Sequence, residues 1–113
     1  MKAYNLRTGK ELSNNVVLAD SILKRMKGLL GKGTMPVGEA LLIKPCISIH
    51  TFFMRFPIDA IFLNNKNRVI ATIKNLHTNR VTRLYPTAAS VLELPVGIIE
   101  KTDTGVGDEI GIA

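Results

Sequence analysis

Apolar positions in this chain fall into short runs separated by turn signals, and the runs follow a two-residue period far more often than a helical one. Residues 2–6 and 10–18 form two extended runs around Thr8-Gly9-Lys10 and predict a hairpin, with Val16 and Val17 supplying β-branched content. The period changes over Ser21–Leu30, where Ile22, Met26, Leu29 and Leu30 recur at helical spacing. There Asp20 or Ser21 can accept a backbone N–H at the start and Gly31 marks the stop, so one short amphipathic helix is predicted. Glu39–Lys44 reads as a strand bounded by Pro45. Ile58–Leu63 and Arg68–Lys74 flank Asn64-Asn65-Lys66-Asn67, where asparagine tolerates a positive φ, and form the clearest hairpin. Residues 75–87 read as a polar, basic loop ending in Tyr85-Pro86. Ser90–Leu94 is a strand closed by Pro95, Val96–Lys101 a helical turn, and Glu109–Ile112 a last strand after the turn at Val106-Gly107-Asp108. Seven extended runs predict a mostly β protein, a small rolled sheet or barrel-like fold with one or two short helices, the 21–30 helix covering an open side.

No repeat, low-complexity tract or linker interrupts the 113 residues, so residues 1–113 are read as a single β-rich domain. A chain of 12.4 kDa folds to a surface of roughly 6,000 Å² and hides about two thirds of what it exposes unfolded, enough for one core. Hydrophobic content of 46% with 21% charged residues excludes a disordered chain, and a lone cysteine excludes a disulfide scaffold. No apolar run is long enough for a membrane span, and MKAYNLRTGKELSNN has no apolar stretch before a cleavage site. With Cys46 lacking an intramolecular partner, these features predict a cytoplasmic chain. The net charge of +6 is unevenly spread. Between Asp59 and Glu93 lie five bases (Lys66, Arg68, Lys74, Arg80, Arg83) and no acid, whereas five of the nine acids fall in the last 21 residues.

Four blocks carry a family resemblance. They are Arg25-Met26-Lys27-Gly28-Leu29-Leu30-Gly31-Lys32, Ile49-His50-Thr51-Phe52-Phe53-Met54-Arg55-Phe56-Pro57-Ile58-Asp59 through Leu63, Val91-Leu92-Glu93-Leu94-Pro95-Val96-Gly97, and Gly107-Asp108. In order and spacing the chain resembles the prokaryotic family known as domain of unknown function 192, over residues 15–112. The resemblance implies a compact β-rich single domain and no particular activity, substrate or cofactor. Many members carry a signal peptide, and this sequence departs from them at its start.

Cys46-x-x-x-His50 is the first candidate for chemistry, since a thiolate nucleophile needs a base within about 2.6–3.2 Å. On a strand those positions share a face but lie roughly 13 Å apart, and Pro45, Ile47 and Ile49 favour the extended form, so the local pair fails. Cys46 is read first as a buried small hydrophobe. A zinc site lacks ligands, with one cysteine and two histidines (His50, His77). Gly28 to Thr34 lacks the spacing of a phosphate loop, and Gly107-Asp108 reads as a structural turn. All four phenylalanines (Phe52, Phe53, Phe56, Phe62) lie within eleven residues, around Met54. Because Phe52 and Phe53 are consecutive, an extended chain sends one of them outward, to be covered or left for a ligand. Asp59 sits in a run apolar on both faces and needs a partner, either a cation such as Arg25, Arg55 or His50 or a set of backbone amides.

The favoured functional reading is a non-catalytic binding domain in which His50, Phe53, Met54, Arg55 and Asp59, within residues 50–59, hold a small anionic or amphipathic ligand or peptide. No catalytic residue, metal or cofactor is assigned. Two alternatives stand beside it: an enzyme in which the fold gathers Cys46, His50 and Asp59, and nucleic-acid binding through the basic 66–85 face with Tyr85 as a stacking ring.

Overall fold

The computed structural model describes residues 1–19, 35–52 and 54–113. Their elements are β1 (Ala3–Asn5), β2 (Glu11–Ser13), β3 (Asn15–Ala19), β4 (Glu39–Ile43), β5 (Ile58–Leu63), β6 (Val69–Leu76), β7 (Ser90–Leu94), α1 (Ile98–Lys101) and β8 (Ile110–Ile112). They make a three-stranded sheet, β2-β1-β8, and a five-stranded sheet, β3-β4-β7-β5-β6. All pairings are antiparallel except β3 with β4, which run parallel. The mostly β expectation is met, with two sheets and one short helix among the described residues. The helix expected over 21–30 lies outside them.

The run 10–18 is not one strand. It bends at Asn14, leaving β2 in one sheet and β3 in the other. The cause is the Gly38 carbonyl, which accepts from Ser13 Oγ at 2.6 Å, Asn14 N at 3.0 Å and Asn15 N at 3.2 Å. Gly38 has φ +93°, and a Cβ there would lie 3.1 Å from Asn14 Oδ1, so the corner favours glycine twice over. The turn at Asn64–Asn67 forms as expected, with Asn67 at φ 57° and Asn64 Oδ1 accepting from Lys66 N and Arg68 N. Beyond it the sheets meet along a seam: Arg68 bridges Glu109, Val69 N donates to Asp108 O (2.8 Å), and Ile110 N donates to Asn67 O (2.9 Å).

Both central strands, β5 and β7, are buried at every position. Side-chain alternation therefore divides the apolar interior in two. One cluster (Val16, Leu42, Ile61, Leu63, Leu92, Leu94) packs against the smaller sheet and Ile98 and Ile99 of α1. The other (Leu41, Ile43, Ala60, Phe62, Val91) is covered by Met35, Ile49, Phe56 and Ala88. The surface of the folded chain is 6128 Å², the value its mass predicts.

A polar knot ties the two ends of the chain together. Buried Asn5 donates through Nδ2 to Thr104 Oγ1 (3.1 Å) and Asp108 Oδ2 (3.0 Å), and its Oδ1 accepts from Arg7 N and Thr8 N. Arg7 grips Asp108 with Nε to Oδ1 at 2.7 Å and Nη2 to Oδ2 at 3.1 Å, while Gly105 N donates to the same carboxylate at 2.9 Å. Asp108 thus serves its own turn, as its Gly-Asp context suggests. The Arg7 guanidinium, helped by Gly105 N–H and the Asn5 amide, holds the Asp108 carboxyl well below the usual carboxylate range, against the opposing effect of burial.

Since the folded-state value is depressed, the unfolded chain binds the extra proton. The stabilisation is therefore complete above the unfolded value of 3.8 and is lost as pH falls below it toward the native value. We expect urea midpoints to drop as pH falls below about 4, and Asp108→Asn to start lower at neutral pH with a flatter acid limb. An unchanged acid limb in Asp108→Asn would show that other groups govern it.

Candidate functional site

The segment 47–51 is joined to 80–85 by one β-bridge and several backbone hydrogen bonds, and this ribbon positions the candidate side chains. His50 stands directly opposite Val81, with Thr51 N donating to Arg80 O (2.8 Å) and Thr82 N to Ile49 O (2.9 Å); Tyr85 N donates to Ile47 O farther along. Part of the stretch expected as a polar loop over 75–87 is thus paired, and β6 itself runs to Leu76. Thr51, fully buried, pins the ribbon's end by donating to His77 O (2.7 Å) and accepting from Arg80 N.

Alternation along the ribbon sorts its side chains. Ile49 is buried in the second cluster, while His50 and Phe52 share the other side and stack with ring centroids 5.3 Å apart. Phe52 (42% exposed) and Val81 (63%), on the side of His50, are open to solvent, and Ile47 (44%) and Leu84 (61%) are exposed elsewhere along the two segments. Arg55, Arg80 and Arg83 are exposed in the same stretches of chain. His50 Nδ1 is sealed from solvent and forms no hydrogen bond among the described residues. Met54 is half-buried and packs on the second cluster, and Phe53 lies outside the described residues.

Cys46 is half-buried, packs on that same cluster, and donates Sγ–H to Ser48 O at 2.9 Å. It follows a cis Lys44–Pro45 bond just beyond the end of β4. Among the described residues no group of three or more His, Cys, Asp or Glu side chains converges as a metal site would require.

Asp59 occupies the opposite face of the sheet from Ile49, Met54 and Cys46. In β5 it alternates with Ala60 and shares its face with Ile61 and Leu63, the cluster that receives α1. Its carboxylate is buried and accepts three backbone N–H groups: Asn75 on Oδ1 (2.9 Å), and Gly97 (3.1 Å) and Ile99 (3.0 Å) on Oδ2. Gly97, φ 101°, is the N-cap residue of α1 and supplies no side-chain cap. Asp59 supplies from β5 the acceptor that the free N–H groups of a first helical turn require. The acid that does face the second cluster is Glu93. It is fully buried in β7 between Leu41 of β4 and Ala60 of β5, two residues after Val91 on the same face. Sequence reasoning passed over it, although a glutamate inside Val91-Leu92-Glu93-Leu94-Pro95 breaks an otherwise apolar strand.

The ring needed for base stacking is already engaged: Tyr85 lies 4.3 Å from Phe62, and the Arg83 guanidinium sits 5.5 Å over it. Arg68 points to the seam, donating Nη1–H to Gly107 O at 2.8 Å. No helix among the described residues is long and apolar enough to cross a membrane.

Fold and site together define a small two-sheet β domain bearing an exposed aromatic and cationic ribbon. The chain belongs to the DUF192 family, described as an uncharacterized ACR, whose model matches residues 4–112. It is similar to a UPF0127 protein of Thermococcus sibiricus, 36% identical over 115 residues covering 94% of this chain and 71% of that one. It is also similar to a UPF0127 protein of Pyrococcus furiosus, 33% identical over 114 residues covering 94% and 93%. A solved structure from Sinorhizobium meliloti 1021, titled as a candidate transcription regulator, superposes with a TM-score of 0.80 at 19% identity over 97% of this chain and 89% of that one. A protein of unknown function from Novosphingobium aromaticivorans gives 0.74 at 17% identity, over 99% and 93%. At these identities the two structures share the fold.

Asp59→Ala leaves the buried Ile99 N–H and the part-buried Asn75 and Gly97 N–H groups without their acceptor, and is expected to lower stability by about 1–3 kcal/mol, Asp59→Asn by less. Urea midpoints measure both. An unchanged midpoint with lost ligand binding would move Asp59 from the scaffold to the binding surface.

Proposed function

We propose that this domain is a non-catalytic binding module that captures an acidic, amphipathic peptide segment on the ribbon formed by 47–52 and 80–85. The observation that carries the reading is the exposed row of Phe52, stacked on His50, and Val81, paired with His50 across the ribbon. Contiguous apolar groups held open to water mark interaction surfaces. Ile47 and Leu84 are also exposed on the two segments, and Arg55, Arg80 and Arg83 are exposed in the same stretches of chain. An acidic amphipathic segment matches both features: its apolar side chains bury Phe52, Val81 and Leu84, and its carboxylates meet the arginines. His50 adds an imidazole edge to the apolar row. Asp59 and Cys46 have no part in this surface; the first caps α1 and the second packs inward.

The test is an amide chemical-shift titration with a synthetic decapeptide alternating Leu and Glu, alongside a Leu/Lys control and a single-stranded oligonucleotide. Shifts clustered at 47–52 and 80–85 with the acidic peptide, weakened about tenfold or more in Val81→Asp and in Arg80→Glu, are expected. Equal response to the Leu/Lys peptide, or shifts confined to 66–74 with the oligonucleotide alone, would overturn the reading.

A further inference from the structure

On the other face of the large sheet, a cavity opens where the core between the sheets reaches the surface. Its volume is about 240 Å³, and Met1, Leu18, Leu42 and Ile112 form its apolar wall. Three polar side chains also line it: Lys44, Asn67 and Ser90. They come from the end of β4, the β5–β6 turn and the start of β7, so three separate elements converge on it. Ser90 is 3% exposed, and its hydroxyl makes no hydrogen bond among the described residues. The residue lines the cavity, so its hydroxyl is available to a guest there. The Lys44 ammonium and the Asn67 amide are equally unengaged by protein among the described residues, and no carboxylate lines the space.

We infer that this cavity binds a small amphiphilic anion, a short-chain monocarboxylate whose head meets Lys44, Asn67 and Ser90 and whose tail lies against Leu18, Leu42 and Ile112. The donors are one cation, one amide and one hydroxyl, a set that stabilises a carboxylate and leaves a cationic head unanswered. The volume corresponds to about eight waters, room for a chain of about six carbons. Mostly apolar walls with a few converging polar groups are what small-molecule sites present. Leu18 (53% exposed) and the exposed Lys44 stand at the mouth, so entry needs no unfolding. The site is independent of the ribbon: Leu42 and Ser90 face the first cluster, and the ribbon covers the second.

Sodium hexanoate titrated into the full chain, with hexanol as the uncharged control, tests this by amide shifts. Saturating shifts at Leu18, Leu42, Ser90 and Ile112 are expected, with a dissociation constant on the order of a millimolar or tighter. Lys44→Gln is expected to weaken hexanoate by about tenfold. Leu18→Trp, a change at a half-exposed edge position, fills the space and abolishes the shifts while the remaining amide spectrum stays native. Absent shifts, equal binding of hexanol, or undiminished binding in both variants would overturn the inference.

Discussion

Burial of both faces of β5 and β7 is the constraint from which the arrangement of side chains follows. In a strand covered on both sides, alternation places every other residue in a different core, and a slip of one position exchanges the two sets. Asp59 and Glu93 show the consequence. Glu93 lies in register with Ala60, the residue next to Asp59, yet the two carboxylates project to opposite faces. The sheet itself keeps two buried acids on neighbouring strands apart, and each needs its own local solution. For Asp59 the solution is three main-chain amides, which also fixes where α1 begins.

The same division makes the 46–56 segment a cover whose two sides do different work. Ile49 and Phe56 close the second core, and the stack of Phe52 on His50 is what remains outside. Exposing these groups is a by-product of pairing 47–51 with 80–85, because extended backbone cannot turn consecutive side chains to one side. A helix over these residues would have placed Cys46 and His50 together; an extended one separates their tasks.

Much of the fold was legible in local pattern. β5 and β7 run over the same residues that period and flanking prolines marked, and the Asn64–Asn67 turn follows from asparagine's tolerance of positive φ. What was not legible depends on groups distant in sequence. The break at Asn14 is made by a carbonyl of Gly38, the pairing of 80–85 by the 47–51 segment, and the ligands of Asp59 by Asn75 and α1. For the candidate site, the segment was visible from its phenylalanines, but face membership was not. Asp59 lies within the 50–59 window and Glu93 far outside it, yet parity and pairing put Glu93 on the ribbon's side of the sheet.

Charge is redistributed by the same folding. Read linearly, the basic stretch 66–83 and the acidic C-terminal region suggest a molecule divided in two. The seam brings their ends together, with Arg68 opposite Glu109 and its guanidinium on the Gly107 carbonyl, while Arg7 occupies Asp108. Positive potential near Arg68 is therefore offset by neighbouring acids, whereas Arg80 and Arg83 on the ribbon lie in the stretch between Asp59 and Glu93 that has none. Exposed charges interact over a Debye length of about 8 Å at physiological salt, so the placement of the bases by the fold bears on the local field more than the total of +6 does.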